Sequence, residues 1–115
     1  MTMWELMEEI VATYRRHGWQ LQRVLMRTAT RAQLGEAATA FDGISIQNSE
    51  IDALWFSRAS HKDREGWELR LIAEQQYALF ESFNPDQPEE ERERVRQEME
   101  ARMRNTLPVI KSQTF

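Results

Sequence analysis

Trp55 and Phe56 are neighbours in the stretch Ile51-Asp52-Ala53-Leu54-Trp55-Phe56-Ser57-Arg58-Ala59. The stretch reads as a strand, and successive strand side chains leave on opposite faces. Ile51, Ala53 and Trp55 then share one face, and Leu54 and Phe56 share the other. Leu79 and Phe80 repeat the arrangement further along. A sheet with one wet face alternates apolar and polar residues instead. This pattern demands that both faces be covered.

The demand is large, because the chain carries four Trp in 115 residues. Each buried aromatic removes about 150–250 Å² from water, on the order of 4–6 kcal/mol at about 25 cal/mol/Å². Left open, several of them would form a patch that monomers rarely carry. Four covers are open to the second face: segment 28–50, a second copy of the chain, a different protein, or an apolar ligand. Symmetric dimers are the commonest oligomers, which favours the second copy among the external covers.

The remaining elements follow from periodicity. Trp4, Met7, Ile10, Val11 and Tyr14 recur at helical spacing, so 3–17 is predicted as a helix. Thr2 is placed to cap it, and Gly18 to end it. Residues 19–26 read as a strand whose two parities both carry apolar residues. Either a bulge shifts the register near Arg23, or both faces are partly covered. Thr30 to Gln33 has the form of a capping box, predicting a short helix to Ala40. Asp42-Gly43 marks a turn, and 44–46 a short strand. Strands over 51–59, 67–73 and 77–83 form an antiparallel meander. Gly18-Trp19 and Gly66-Trp67 echo one another, each Gly being expected to allow a bend before a strand. Pro88 stands at the start of a helix running to about Arg104, with a thin apolar stripe of Val95, Met99 and Met103.

The expected class is α+β: an antiparallel meander of about four strands with the N- and C-terminal helices packed on one face. Residues 1–106 are expected to form a single domain and 107–115 a C-terminal tail. In size, net charge and class the chain resembles bacterial secretion chaperones. Its element order departs from theirs after the first strand, and no residue is carried over.

Composition excludes several functions. With no cysteine there is no disulfide framework, thiolate zinc site or cysteine nucleophile. The start has no basic and then apolar leader, and apolar runs are far shorter than the roughly 20 residues a span requires. A cytoplasmic protein without a membrane partner is expected. The net charge of −4 opposes nucleic-acid binding, which draws its affinity from phosphate neutralisation. The acid-free arginines from Arg15 to Arg31, with Trp19 among them, are the one feature pointing the other way.

Groups able to do chemistry are sparse. His17 and His61 are the only histidines. No phosphate-cradling Gly loop, nucleophile elbow or metal-ligand spacing occurs. No catalytic residue, metal or cofactor is assigned. The first reading is a non-enzymatic protein-interaction module acting as a homodimer, with Leu54, Trp55, Phe56 and Phe80 as contacts. The alternative is a small-molecule-binding or enzymatic α+β domain. Those aromatics would then line its pocket, and Asp52, His61 or Glu81 would supply the polar groups.

Overall fold

The computed structural model describes residues 2–36 and 43–112. The first helix, α1, spans Met3–Arg16. A capping box opens it: the Thr2 hydroxyl accepts from the Glu5 N–H, and the Glu5 carboxylate accepts from the Thr2 N–H. Gly18 ends it at φ +85°, a conformation that side chains with a Cβ rarely adopt. Strand β1 (Gln20–Met26) follows, then a short helix α2 (Thr28–Leu34) and strand β2 (Ser45–Asn48). Strands β3 (Ala53–Ala59), β4 (Glu65–Leu71) and β5 (Ala78–Phe83) form the expected antiparallel meander. The last helix, α3, spans Glu89–Ser112.

The sheet has five strands in the order β2-β1-β3-β4-β5, not about four. It is mixed, since β1 and β2 run parallel. A parallel pair requires a crossover, and α2 lies within it. The predicted capping box at Thr30 does not form. Helix α2 starts earlier, after Arg27, and the Thr30 hydroxyl donates to Asp52 instead. Asp42 lies outside the described residues.

Both readings of β1 hold together. Its register against β3 shifts between Leu21 and Arg23, so Gln22 is a bulge. Leu21 pairs with Phe56, whereas Arg23 pairs with Trp55 and Val24 with Leu54. The bulge therefore moves Arg23 and Leu25 to the Trp55 face while Leu21, Val24 and Met26 keep the other.

The helices do not share a face. Met7, Ile10 and Val11 of α1 pack with Val24, Leu54 and Phe56, and Leu34 of α2 joins them. Met99 and Met103 of α3 pack with Leu25, Ala53, Trp55, Leu69 and Leu71 on the opposite face. The expectation of one helical face is thus corrected, and so is the cover expected for the second. The cover is α3, whose apolar stripe is thin.

Charged side chains dock it. Arg96 is 1 % exposed and lies over the Trp67 ring, 4.4 Å from its centroid, with Glu89 and Glu93 as ion-pair partners. Glu100 is buried and accepts a 2.9 Å hydrogen bond from Trp55 Nε1. Arg23 holds Glu93 through both of its carboxylate oxygens. A stripe-counting view of α3 treats these residues as solvated. The Arg96 guanidinium instead lies on the Trp67 ring, and the Glu100 carboxylate meets the Trp55 indole N–H. Helix α3 also continues through Leu107 and Pro108 to Ser112, where a tail from 107 was expected. Leu107 packs on the same cluster as Met103.

The Arg23–Glu93 bridge has an expected pH signature. The hydrogen bonds from Arg23 hold the Glu93 carboxyl down to about 2, against an ordinary value of 4.5. A depressed carboxyl stabilises the fold above its unfolded value and loses that contribution as pH falls through its folded value. Because the Glu93 side chain is 37 % exposed, solvent screening reduces the contribution to about 1 kcal/mol. Arg23→Gln is expected to be less stable than the parent by about that amount at pH 7. Chemical denaturation of both proteins from neutral to strongly acid pH checks this. The gap is expected to close on acidification, and a gap that stays constant would contradict the linkage.

Candidate functional site

Four apolar side chains were expected at a contact or pocket, and the structure divides them. Leu54, Trp55 and Phe56 are fully buried at 0 % exposure. Trp55 lies beneath α3, edge-on to Trp67 with centroids 5.9 Å apart. Leu54 and Phe56 lie beneath α1, where the Tyr14 ring stacks on Phe56 at 4.1 Å. These three are core, and none of them reaches a surface. Phe80 is 56 % exposed and is the one large exposed hydrophobic among the described residues.

Phe80 stands out because α1 stops short of β5. The residues of β4 on the α1 face are Gly66, Glu68 and Arg70, paired with Ser82, Phe80 and Ala78. Glu68 and Arg70 form a polar island at the border of the α1 core. The Tyr14 hydroxyl donates to Glu68. Burial, then that hydrogen bond, pushes the Tyr14 phenol well above its usual range, so it remains a donor. Burial lowers the pKa of Arg70, whose guanidinium donates to the Leu71 carbonyl. Beyond this island lie Ala78 and Phe80, both exposed.

Gly66 explains the seat of Phe80, and corrects the expectation that it serves a turn. It is paired within β4, between Arg58 and Ser82. A Cβ on Gly66 would meet Phe80 Cε2 at 3.0 Å and Trp19 Cη2 at 3.6 Å. Its bare face lets the Phe80 ring lie over the strand, edge-on to Trp19 at 6.3 Å. The two Gly-Trp pairs thus do different work: Gly18 ends a helix, and Gly66 makes room for an aromatic ring.

Strand β5 is also an edge. The Leu71 N–H donates to the Tyr77 carbonyl at 3.0 Å, so these residues form a hydrogen-bonded pair. Antiparallel pairs alternate in type. Leu79, Glu81 and Phe83 therefore bond inward to β4, and the N–H and C=O groups of Ala78, Phe80 and Ser82 point outward. Arg64 already caps the Ser82 end, donating to the Ser82 hydroxyl at 2.9 Å and the Ser82 carbonyl at 3.2 Å. Strand β5 has no Pro, Lys or bulge, the usual protections of an edge.

The three polar candidates are not brought together. Asp52 precedes β3 and His61 follows it, so about 20 Å of strand separates them at about 3.3 Å per residue. Glu81 faces the α3 side of β5, opposite Trp67. Asp52 accepts from the Arg27 N–H and Nε–H, both at 2.9 Å, and from the Thr30 hydroxyl at 2.8 Å. It lines a cavity of about 420 Å³ with Met3, Arg27, Ile51, Leu71, Ile72 and Leu107 among the walls. None of Trp55, Phe56 and Phe80 lines it, and neither do His61 and Glu81.

Among the described residues no group of three or more His, Asp or Glu could hold a metal ion. No described helix is long and apolar enough to cross a membrane. Comparison with known proteins finds no matching family, no matching curated protein and no matching solved structure.

Proposed function

We propose that the chain is a non-enzymatic protein-interaction module that acts as a homodimer, with β5 of each copy paired antiparallel. The observation that carries this is the open β5 edge with Phe80 exposed at its centre. A two-fold axis at Phe80 gives a self-complementary register. Ala78 faces Ser82 of the second copy, Leu79 faces Glu81, and the two Phe80 rings meet. No like charges lie opposite one another. The outward N–H and C=O groups of Ala78 and Phe80 gain partners, and two five-stranded sheets become one. Covering the open half of Phe80 contributes on the order of 2–3 kcal/mol per copy. At the ends of the pairing, Arg64 shares the Ser82 carbonyl, which has a second lone pair.

Light scattering behind size exclusion tests the proposal across a dilution series. The expected mass is twice 13.7 kDa. Phe80→Glu and Ala78→Pro are each expected to give a folded monomer. The first places like charges at the axis. The second removes an outward N–H at the first position of the strand, where Pro costs the native ladder no bond. A parent protein that is monomeric throughout, or variants that remain dimeric, would overturn it. A second reading, a small-molecule-binding domain, rests on the cavity beside Asp52. It would be favoured by a monomer that gains thermal stability with an apolar-bodied ligand.

A further inference from the structure

The end of the molecule beside the α1 C-terminus carries a feature that the β5 reading does not use. His17, Gly18, Arg58, Ala59, Ser60 and His61 line an open concavity of about 470 Å³. Its lining contains two imidazoles, a guanidinium and a hydroxyl, and no carboxylate. A neighbouring hollow shares Gly18 and adds Arg15 and Trp19. Arg16 and Lys62 flank the lining in sequence, and Asp63 is the acid of the adjoining turn.

These bases are free in a specific sense. The ion pairs between described residues draw on Arg23, Arg27, Arg92, Arg96 and Arg104. Arg15, Arg16, Arg58 and Lys62 make none. The acidic helix α3 covers the other side of the sheet, and salt screens exposed charges beyond about 8 Å at physiological ionic strength. The overall charge of −4 therefore does not describe this end of the protein.

Arg58 is held in place. Its guanidinium lies over the Trp19 ring, 4.5 Å from the centroid, and Nη1 donates to the His17 carbonyl at 2.9 Å. That contact fixes the plane and leaves its other N–H groups for a ligand. His17 is fixed as well: Nδ1 lies 2.8 Å from the Thr13 carbonyl and donates there, which leaves Nε2 to accept from a P–OH group or, in the imidazolium form, to donate. His61 and Ser60 come from a turn on which Lys62 and Asp63 both take positive φ, at 58° and 60°. Such backbone in non-glycine residues is uncommon and concentrates at binding and switch sites.

We infer that this concavity binds a tetrahedral oxyanion of the phosphate class, held by Arg58 with His17, Ser60 and His61 around it. A planar carboxylate is satisfied by the guanidinium fork alone. Polar groups arriving from α1, from the end of β3 and from the turn suit an anion with oxygens in several directions.

Backbone amide shifts in an NMR titration with inorganic phosphate test this at constant ionic strength, with chloride as the balancing salt. Saturable shifts confined to residues 17–19 and 58–62 are expected in the millimolar range. Arg58→Ala is expected to weaken binding about tenfold, as befits a lost charge-assisted bond. Since Arg58 also packs on Trp19, His61→Ala on the exposed turn gives an independent measurement, expected to weaken binding severalfold. Glycerol 3-phosphate in place of phosphate decides the source. Tighter binding identifies a phosphate ester, and equal or weaker binding the free ion. Shifts that chloride reproduces, shifts spread over arginines elsewhere, or undiminished binding in both variants would overturn the inference.

Discussion

Trp55→Ala is expected to lower the unfolding free energy by about 5 kcal/mol, a large part of the roughly 5–15 kcal/mol available to a domain of this size. Three losses combine. The indole fills the centre of the sheet beneath α3, and truncating such a side chain costs about 3–5 kcal/mol through lost transfer energy and the cavity left behind. The edge contact with Trp67 goes as well. Glu100, buried at the same interface, loses the indole N–H that donates to it. Leaving a buried acceptor unpaired costs about 1–3 kcal/mol.

The components separate experimentally. Trp55→Phe retains most of the volume and removes the donor, so it is expected to cost about 2–3 kcal/mol. Adding Glu100→Met removes the stranded carboxylate and is expected to recover about 1 kcal/mol or more. Urea denaturation followed by circular dichroism measures all three variants. A double variant no more stable than Trp55→Phe would show that the indole–carboxylate bond is not what Trp55→Phe loses. The single Ala variant also distinguishes core from contact. A variant that dissociates while remaining as stable as the parent would place Trp55 at a subunit interface, against its complete burial.

Trp55 also shows what the sequence could and could not reveal. Adjacent aromatics at 55 and 56 require two covered faces, and the structure has them. The alternation is local, so the meander, the α1 cap at Thr2 and the break at Gly18 were all legible. The identity of the second cover was not. Helix α3 presents Arg96, Glu93 and Glu100 where an apolar stripe is sought, and only tertiary pairing with Trp67, Arg23 and Trp55 turns those charges into a docking face. The parallel β1–β2 pair was hidden for a similar reason, since β2 is four residues long and its partner is chosen by a crossover.

The candidate surface was partly legible. The aromatic pattern points to Phe80, but groups it with Trp55 and Phe56. The register across β3, β4 and β5 puts Phe80 on the face of Phe56, and how far α1 reaches across that face is a matter of packing. The one signal available was Gly66, a bare residue in an otherwise clean strand. Such a glycine marks close approach as readily as a turn. His61 is one of the polar candidates, and the residues that share its concavity, Arg58 and His17, come from other elements.

Asp52→Ala is the second large effect, about 3 kcal/mol, since bonds from donors to a charged acceptor contribute about 1.5–3 kcal/mol each before relaxation. The carboxylate is 6 % exposed and accepts from three donors belonging to two residues. One donor is the backbone N–H of Arg27, the residue that joins β1 to α2. Asp52 thus ties the start of the crossover to the start of β3, through hydrogen bonds that fix where α2 begins. Its loss frees the Arg27 guanidinium, already half-exposed, to water at little cost. The Thr30 hydroxyl is buried, however, and cannot follow. Asp52→Asn retains one oxygen but turns an amide N–H₂ toward donors, so about half the loss is expected to remain. Thr30→Val, which removes one donor and leaves the other two, is expected to cost about 1 kcal/mol. Thermal and urea unfolding rank the three, and amide exchange at Arg27 gives a local readout. Slow exchange in the parent that becomes fast in Asp52→Ala alone would place the effect at this junction. A loss below about 0.5 kcal/mol, the range of ordinary surface changes, would mean that the crossover is held by the packing of Leu34 and Ile46 and not by Asp52.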